Sequence, residues 1–364
     1  MNIHFHPNGK YASKFITPLI EKERELGAQV SLVVSCNKEN ENDIQIPYDL
    51  SIKNLALIPL SFIRIIKLLI KHRPKYVISH NSRSSLIPLL ASRIAGIKHI
   101  VYFNHGAPFL GYEGPIRIAL KLLEKINILL AKNTVTVSSD IQNELKKITS
   151  KQVDIILNGS CSGIDLKYFS GQKKIDYKFK KSLGVNEDDF LAVYVGRPEE
   201  RKGFHFILEL WKNYFSDKNS ECFKLLVCGC ILSDAAKVLP SPQKNIHFLG
   251  FRNDINKILF HSDTLILPSK HEGLSYSILE ALATKTPVIA NDIPGIRNII
   301  KNNNNGYLLK INDHEGYANR IRVIKNDSKN GKLDIILKNG IETTKKYERN
   351  NFLNAYIAYL KLVR

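Results

Sequence analysis

The chain has 364 residues, with 53 Lys and Arg against 34 Asp and Glu and a formal net charge of +19. That length exceeds one ordinary core and predicts two domains, and 44% apolar with 24% charged residues is the balance of a globular protein. Five scattered cysteines exclude a disulfide framework and a zinc pattern, no apolar run reaches the length of a membrane span, and the start MNIHFHPNGKYASKF is no signal peptide, so the expectation is a cytoplasmic protein.

Apolar runs alternate with helical patterns along the chain. Strands are predicted at 2–6, 29–35, 76–80, 97–104, 134–138 and 154–157, and a second series at 190–195, 224–228, 246–249, 264–268 and 287–290. Alternation of this kind predicts parallel sheets covered on both faces. The stretch 170–189, SGQKKIDYKFKKSLGVNEDD, is polar and poor in strand signal. The expected layout is a first domain at 1–170, a linker at 171–189, a second domain at 190–340 and a C-terminal helix at 341–364 that packs back. Ligands of open α/β sheets bind beyond the carboxyl ends of the strands, and two such domains facing each other would form a cleft between them.

The charge is uneven. Residues 53–132 hold thirteen Lys and Arg but only two acids, Glu113 and Glu124. In SFIRIIKLLIKHR, Arg64, Lys67 and Lys71 recur at helical spacing beside Phe62, Ile65, Ile66, Leu69 and Ile70. In IRIALKLLEKINILLA, Arg117, Lys121 and Lys125 stand four apart. Basic amphipathic helices suit an anionic membrane surface, although solvated faces on core-packed helices would read the same. Nucleic acid is not expected as a partner, because no recognition motif accompanies the charge. Cys228-Gly-Cys230 closes the apolar run KLLVCGC and reads as the end of a buried strand rather than a metal clip. No metal site is expected.

Two turns carry chemistry. After the strand FLAVYV comes GRPEERKGF, in which Arg197 offers a fork and Lys202 a point charge to phosphate oxygens, between Gly196 and Gly203. After the strand TLILP comes SKHEGLSYSILEALA. Here a loop through Gly273 leads into a helix near Ser275, and a helix start favours an anion. Glu272 precedes that start and Glu280 follows it by about a turn and a half. One carboxylate could accept from hydroxyls on each side of a bound anion, the layout of a nucleotide diphosphate sugar. Two solvent-facing glutamates on a capped helix would give the same letters.

Together, GRPEERKGF and FLGFRNDINKILFHSDTLILPSKHEGLSYSILEALATKTPVIANDIPGIRNII resemble the retaining glycosyltransferases of family 4, whose fold is GT-B and whose signature is two glutamates separated by seven residues. HGAPFLGYEGPIRIALKLLEK, VTVSSDIQNEL and LNGSCSGIDLKYF resemble the bacterial subgroup that builds capsule, O-antigen or glycoprotein glycans on a polyprenyl diphosphate. The resemblance implies two Rossmann-like domains, the first for the acceptor and the second for the nucleotide sugar. It implies that Arg197 and Lys202 bind the diphosphate and that Glu272 holds the donor sugar near the reaction centre. Gly273, Leu274, Ser275 and Tyr276 would meet the phosphates through backbone amides, and Glu280 would bind the ribose. Phe251 and Arg252 fall where the base is held, and His105 in NHGAP matches a histidine facing the transferred sugar. Many relatives have a double glycine after the first strand; here HFHPNGKYASKF has the lone Gly9, with His6 and Lys10 as acceptor or cleft candidates.

The implied activity moves a hexose or N-acetylhexosamine, with retention and without a metal or other cofactor, from a UDP-sugar to a lipid-linked glycan at the inner face of the cytoplasmic membrane. A nucleotide-sugar epimerase of the same fold would need no acceptor surface, and a non-catalytic sugar-nucleotide-binding protein would bind without releasing UDP. A dinucleotide oxidoreductase is disfavoured, since no GxGxxG follows a strand with an acid about 20 positions on.

Overall fold

The structure, a computed structural model, describes residues 1–171, 175–239, 241–328 and 330–363, and leaves out the side chains of residues 10, 52 and 53. The chain divides into two compact units, residues 1–163 with 349–364, and residues 164–348.

Among the described residues the first unit has seven strands: β1 Asn2–Asn8, β2 Val30–Cys36, β3 Ile44–Gln45, β4 Tyr76–His80, β5 His99–Asn104, β6 Asn133–Thr136 and β7 Asp154–Ile155. They form one parallel sheet in the order β3-β2-β1-β4-β5-β6-β7. The order reverses at β1 and β4, so crevices open beyond their carboxyl ends. The second unit has β8 Phe190–Val195, β9 Phe223–Cys228, β10 Ile246–Gly250, β11 Thr264–Leu267, β12 Val288–Asn291 and β13 Tyr307–Leu309. Its parallel sheet runs β10-β9-β8-β11-β12-β13, with the reversal between β8 and β11.

Helices cover these sheets because the central strands are apolar on both faces. All five residues of β4 are buried. In the second unit, helix Phe204–Tyr214 buries Phe204, Ile207, Leu208, Leu210 and Trp211. Every predicted strand is present. The two unforeseen strands, β3 and β13, are edge strands of two and three residues, too short to show a period.

The predicted partition at 170 and the linker at 171–189 need correction. The first unit ends at Gly163. Helix Leu166–Ser170 belongs to the second unit, where Asn256 donates from Nδ2 to the Tyr168 carbonyl at 3.2 Å. Residues 172–174 lie outside the described residues, but the rest of the expected linker is folded. Asp176 caps helix Tyr177–Ser182 through its side chain, and Leu183 and Val185 are buried. Too few apolar letters stand there to show a helical period.

The C-terminal helix is also shorter than expected. Helix Asp334–Lys345 stays in the second unit, where Asn305 donates from Nδ2 to Thr343 Oγ1 at 2.8 Å. Helix Arg349–Leu362 returns to the first unit. There Tyr356 donates to Glu23 at 2.6 Å, Tyr359 to Asp154 at 2.8 Å, and Tyr76 to the Leu360 carbonyl at 2.5 Å. No helix among the described residues is long and apolar enough to cross a membrane.

Candidate active site

In the second unit the two predicted turns leave neighbouring strands, β8 and β11, and close on each other. Gly203 has φ of +74°, and a Cβ there would stand 2.3 Å from the Pro268 carbonyl oxygen, so only glycine fits. The Lys270 amide donates to the Arg201 carbonyl at 2.9 Å, which ties the turns together. Lys202 is thereby brought to Glu272 and donates from Nζ to both carboxylate oxygens, at 2.7 and 2.9 Å.

Glu272 and Glu280 are both buried, at 6% and 3% exposure, which rules out two solvent-facing glutamates. Burial alone would push the Glu272 carboxyl up, but the charge and hydrogen bonds of Lys202 outweigh it and hold the pKa below the ordinary value. Glu272 is therefore an anion in an enclosed site. Burial, with help from the Arg201 charge, lowers the neighbouring His271 to about 4, so that ring is neutral at physiological pH.

Arg197, about half exposed, pairs with Glu199 at 2.8 Å, and Arg201 holds the other oxygen of that carboxylate at 2.9 Å. The structure thus brings Lys202 to Glu272 and keeps Arg197 at the surface of the same turn. Gly196 stands against its neighbour Tyr194, since a Cβ there would be 2.6 Å from the Tyr194 hydroxyl. Gly273, the buried Leu274 and Ser275 lead into helix Tyr276–Ala283. Ser275 sits at the cap in extended backbone and bonds to Ser277 Oγ at 3.1 Å instead of capping the helix with its side chain. A helix start carries partial positive charge. Phe251 and Arg252 follow β10 and line a pocket of about 440 Å³ with Tyr168, Asn253 and Asp254. Phe251 is 69% exposed, and Arg252 forks onto Asp254 at 2.8 and 2.7 Å. Tyr168 was missed in the sequence, where it stood in the wrong predicted domain. Cys228 and Cys230 are buried with thiols pushed up to about 12, as expected of a strand end.

In the first unit, His6, His80 and His105 gather at the carboxyl ends of β1, β4 and β5. His105 is half-buried. Its Nε2 lies 2.9 Å from His80 Nδ1 and its Nδ1 3.1 Å from Cys161 Sγ. Burial lowers its pKa to about 3. The NHG turn is held from behind by Asn104, which donates from Nδ2 to Glu124 at 2.5 Å and to the Gly106 carbonyl at 2.7 Å. Glu124 also accepts from Tyr102, at 2.5 Å, and from Ser82, and burial raises it to about 7.

His6 lies 6.3 Å from His105 between ring centres. Its Nδ1 donates to the Asn8 carbonyl at 2.8 Å, and its Nε2 accepts from Asn81 Nδ2 at 3.0 Å. The turn after β1 is minimal. Asn8 caps helix Gly9–Phe15 by accepting from the Tyr11 amide, and the helix starts at Gly9 itself. A Cβ on Gly9 would stand 2.1 Å from the Asn37 carbonyl oxygen, so one glycine answers one close approach. The Lys10 side chain lies outside the described residues.

Residues 13–160 match the family described as Glycosyltransferase Family 4, and residues 176–342 match Glycosyl transferases group 1. An Escherichia coli protein named UDP-Gal:alpha-D-GlcNAc-diphosphoundecaprenol alpha-1,3-galactosyltransferase is 30% identical over 319 residues, 82% of this chain and 80% of the relative. The chain belongs to glycosyltransferase family 4. A second relative, the capsular polysaccharide biosynthesis glycosyltransferase CapM of Staphylococcus aureus, is 25% identical over 323 residues, 85% of this chain and 83% of CapM. Among solved structures, Anabaena HepE in complex with UDP and glucose superposes with a TM-score of 0.79 at 16% identity, over 99% of each chain. WaaG, a glycosyltransferase involved in lipopolysaccharide biosynthesis, superposes with a TM-score of 0.78 at 16% identity, over 98% of this chain and 99% of WaaG. The fold of this family 4 member is GT-B, as its resemblance implied.

Proposed function

We propose that this glycosyltransferase takes a hexose or N-acetylhexosamine from a UDP-sugar and adds it, with retention, to a polyprenyl-diphosphate-linked glycan in polysaccharide assembly. The observation that carries this reading is the Lys202–Glu272 pair. It sets an ionised carboxylate and a cation side by side just ahead of a helix start. On this reading Glu272 accepts from a hydroxyl of the transferred sugar. Lys202, Arg197 and the amides around Ser275 meet the diphosphate and stabilise its charge as it leaves. Charge neutralisation is assigned to these residues instead of a metal ion. Glu280 receives the ribose, Phe251 and Arg252 the base, and His105 the side of the transferred sugar. The acceptor hydroxyl attacks on the face the diphosphate vacates, and the leaving phosphate oxygen takes its proton.

The choice of UDP and of a lipid-linked acceptor draws on the relatives, one named for both and another solved with UDP. Peripheral attachment to the inner face of the cytoplasmic membrane draws on two helices of the first unit. Ile58–His72 exposes Leu60, Ile63 and Ile70 beside Arg64, Lys67 and Lys71, and Gly114–Leu130 exposes Ile116, Ile118 and Leu122 beside Arg117.

A panel of UDP-sugars, each with and without a polyprenyl-diphosphate acceptor, tests the reading. Acceptor-dependent UDP release with an α-linked product from an α-linked donor is expected. An epimer formed without acceptor would make the protein an epimerase, and binding without UDP release would make it non-catalytic.

A further inference from the structure

Two buried histidines of the first unit and a half-buried third form a file that ends on a carboxylate. His105 Nε2 meets His80 Nδ1 at 2.9 Å, His80 Nε2 meets His4 Nδ1 at 3.1 Å, and His4 Nε2 meets Glu23 Oε1 at 3.0 Å. At the outer end Cys161 Sγ lies 3.1 Å from His105 Nδ1. His4 and His80 are fully buried and Glu23 is 2% exposed, whereas His105 is half-buried. Glu23 also receives the Tyr356 hydroxyl at 2.6 Å and the Asn2 amide at 2.5 Å. The three rings come from adjacent strands β1 and β4 and from the end of β5, and the carboxylate from helix Thr17–Glu25.

The donors around Glu23 dictate the hydrogens. Each Glu23 oxygen already receives a donor, Tyr356 on one and Asn2 on the other, so the carboxylate faces His4 as an acceptor. His4 must then carry its hydrogen on Nε2. With neutral rings, His4 Nδ1 accepts from His80 Nε2–H, His80 Nδ1 accepts from His105 Nε2–H, and His105 Nδ1 accepts from the Cys161 thiol. In that neutral state each bond is satisfied in one polarity only. If one proton is added to His105 Nδ1, the Nε2 hydrogen of His105 passes to His80 Nδ1, and that of His80 passes to His4 Nδ1. The charge then rests on His4 beside the Glu23 anion, and no hydrogen bond of the file is lost.

We infer that His80, His4 and Glu23 are positioning residues behind His105, holding it in the Nε2–H tautomer and receiving the charge when its outer nitrogen takes a proton. The inference rests on the transferase reading for the role of His105. In that role His105 presents Nδ1 to the site as a hydrogen-bond acceptor, with the Cys161 thiol standing where a sugar hydroxyl would donate. A histidine's free nitrogen is set by the bond its other nitrogen makes, and outer partners that fix a ring's tautomer affect function through the ring they hold.

The test combines ring-nitrogen NMR of protein labelled at histidine ¹⁵N with steady-state kinetics, on the wild type, His80→Phe and Glu23→Gln. In the wild type, His4, His80 and His105 should each show one protonated Nε2 and one bare Nδ1. His80→Phe should leave His105 in mixed tautomers. Both variants should lower kcat roughly ten-fold or more with donor KM within about two-fold. A single His105 tautomer persisting in His80→Phe, or an unchanged kcat in folded Glu23→Gln, would overturn the inference. Should His80→Phe fail to fold, Glu23→Gln carries the kinetic arm and the wild-type spectrum the tautomer arm. If no sugar is transferred by the wild type, the transferase reading has failed while the spectra still decide the file.

Discussion

Lys202 binds Glu272 through both carboxylate oxygens across a separation of 70 residues. The lysine keeps 21% of its side chain exposed and the glutamate 7%, so the partners are not equivalent. Loss of the lysine strands a buried anion, whereas loss of the carboxylate charge leaves a cation that can reach water.

Lys202→Ala is therefore expected to destabilise the protein by roughly 3 kcal/mol, and Glu272→Gln by less. Each single change should lower turnover about 100-fold or more. The double variant should melt above Lys202→Ala, because the stranded charge is gone. Thermal melts of the three proteins check this, and a double variant less stable than Lys202→Ala would contradict the pairing.

Gly295 has φ of +84°, and a Cβ there would lie 2.4 Å from the Glu272 carbonyl oxygen and 2.7 Å from that of Gly273. Gly295→Ala should thus displace the loop carrying Glu272. A cost of about 1–3 kcal/mol and a fall in turnover of roughly 100-fold are expected, measured by denaturant melts and UDP release. Gly27→Ala, a control whose Cβ meets nothing within 4 Å, should leave UDP release unchanged.

The buried glutamates titrate in opposite senses. Glu272 has a depressed pKa, so its stabilisation is present above the unfolded carboxylate value and is lost as pH falls through the folded one. Glu124 goes from an ordinary 4.5 to about 7. Below 4.5 both folded and unfolded states are protonated. Between 4.5 and about 7 only the unfolded state ionises, so stability falls as pH rises. The loss amounts to roughly 3 kcal/mol and is complete above the folded pKa. Glu124→Gln, which mimics the protonated acid, should flatten the melting-temperature difference between about pH 5 and about pH 8. An unchanged difference would show that Glu124 is not the group responsible.

Ile118 is 70% exposed and Ile116 57%, on a helix that also carries Arg117. Wild-type protein should co-sediment with anionic vesicles and much less with zwitterionic ones, and added salt should weaken binding. Ile118→Glu should cut anionic-vesicle binding several-fold while changing stability by less than about 0.5 kcal/mol. Equal binding to both vesicle types would remove the electrostatic part of the proposal.

Residues close in sequence were legible because one strand, one turn and one helix start express their chemistry within a dozen positions. The burial of Glu280 in its helix and the ending of β8 ahead of Arg197 agree with that local reading. The pairing of Lys202 with Glu272 was not legible. It follows from β8 lying beside β11, and strand order leaves no trace in spacing. The histidine file was hidden for the same reason. His6 and His105 were candidates singly, but His4 and His80 carried no signal of their own, because only the pairing of β1 with β4 and of β4 with β5 brings the rings together. Gly9, an apparent departure from the family, is explained by one carbonyl, that of Asn37, which only the fold brings near.

By itself the sequence determined that the chain forms parallel α/β sheets, roughly where their strands lie, and which family it belongs to, since these follow from periodicity and contiguous motifs. Only the tertiary structure decided that the fold divides at Gly163, that the last helix returns to the first unit, and which side chain meets which. Those outcomes depend on burial and pairing between segments far apart in the chain, where the free energy lies in contacts that no local pattern records.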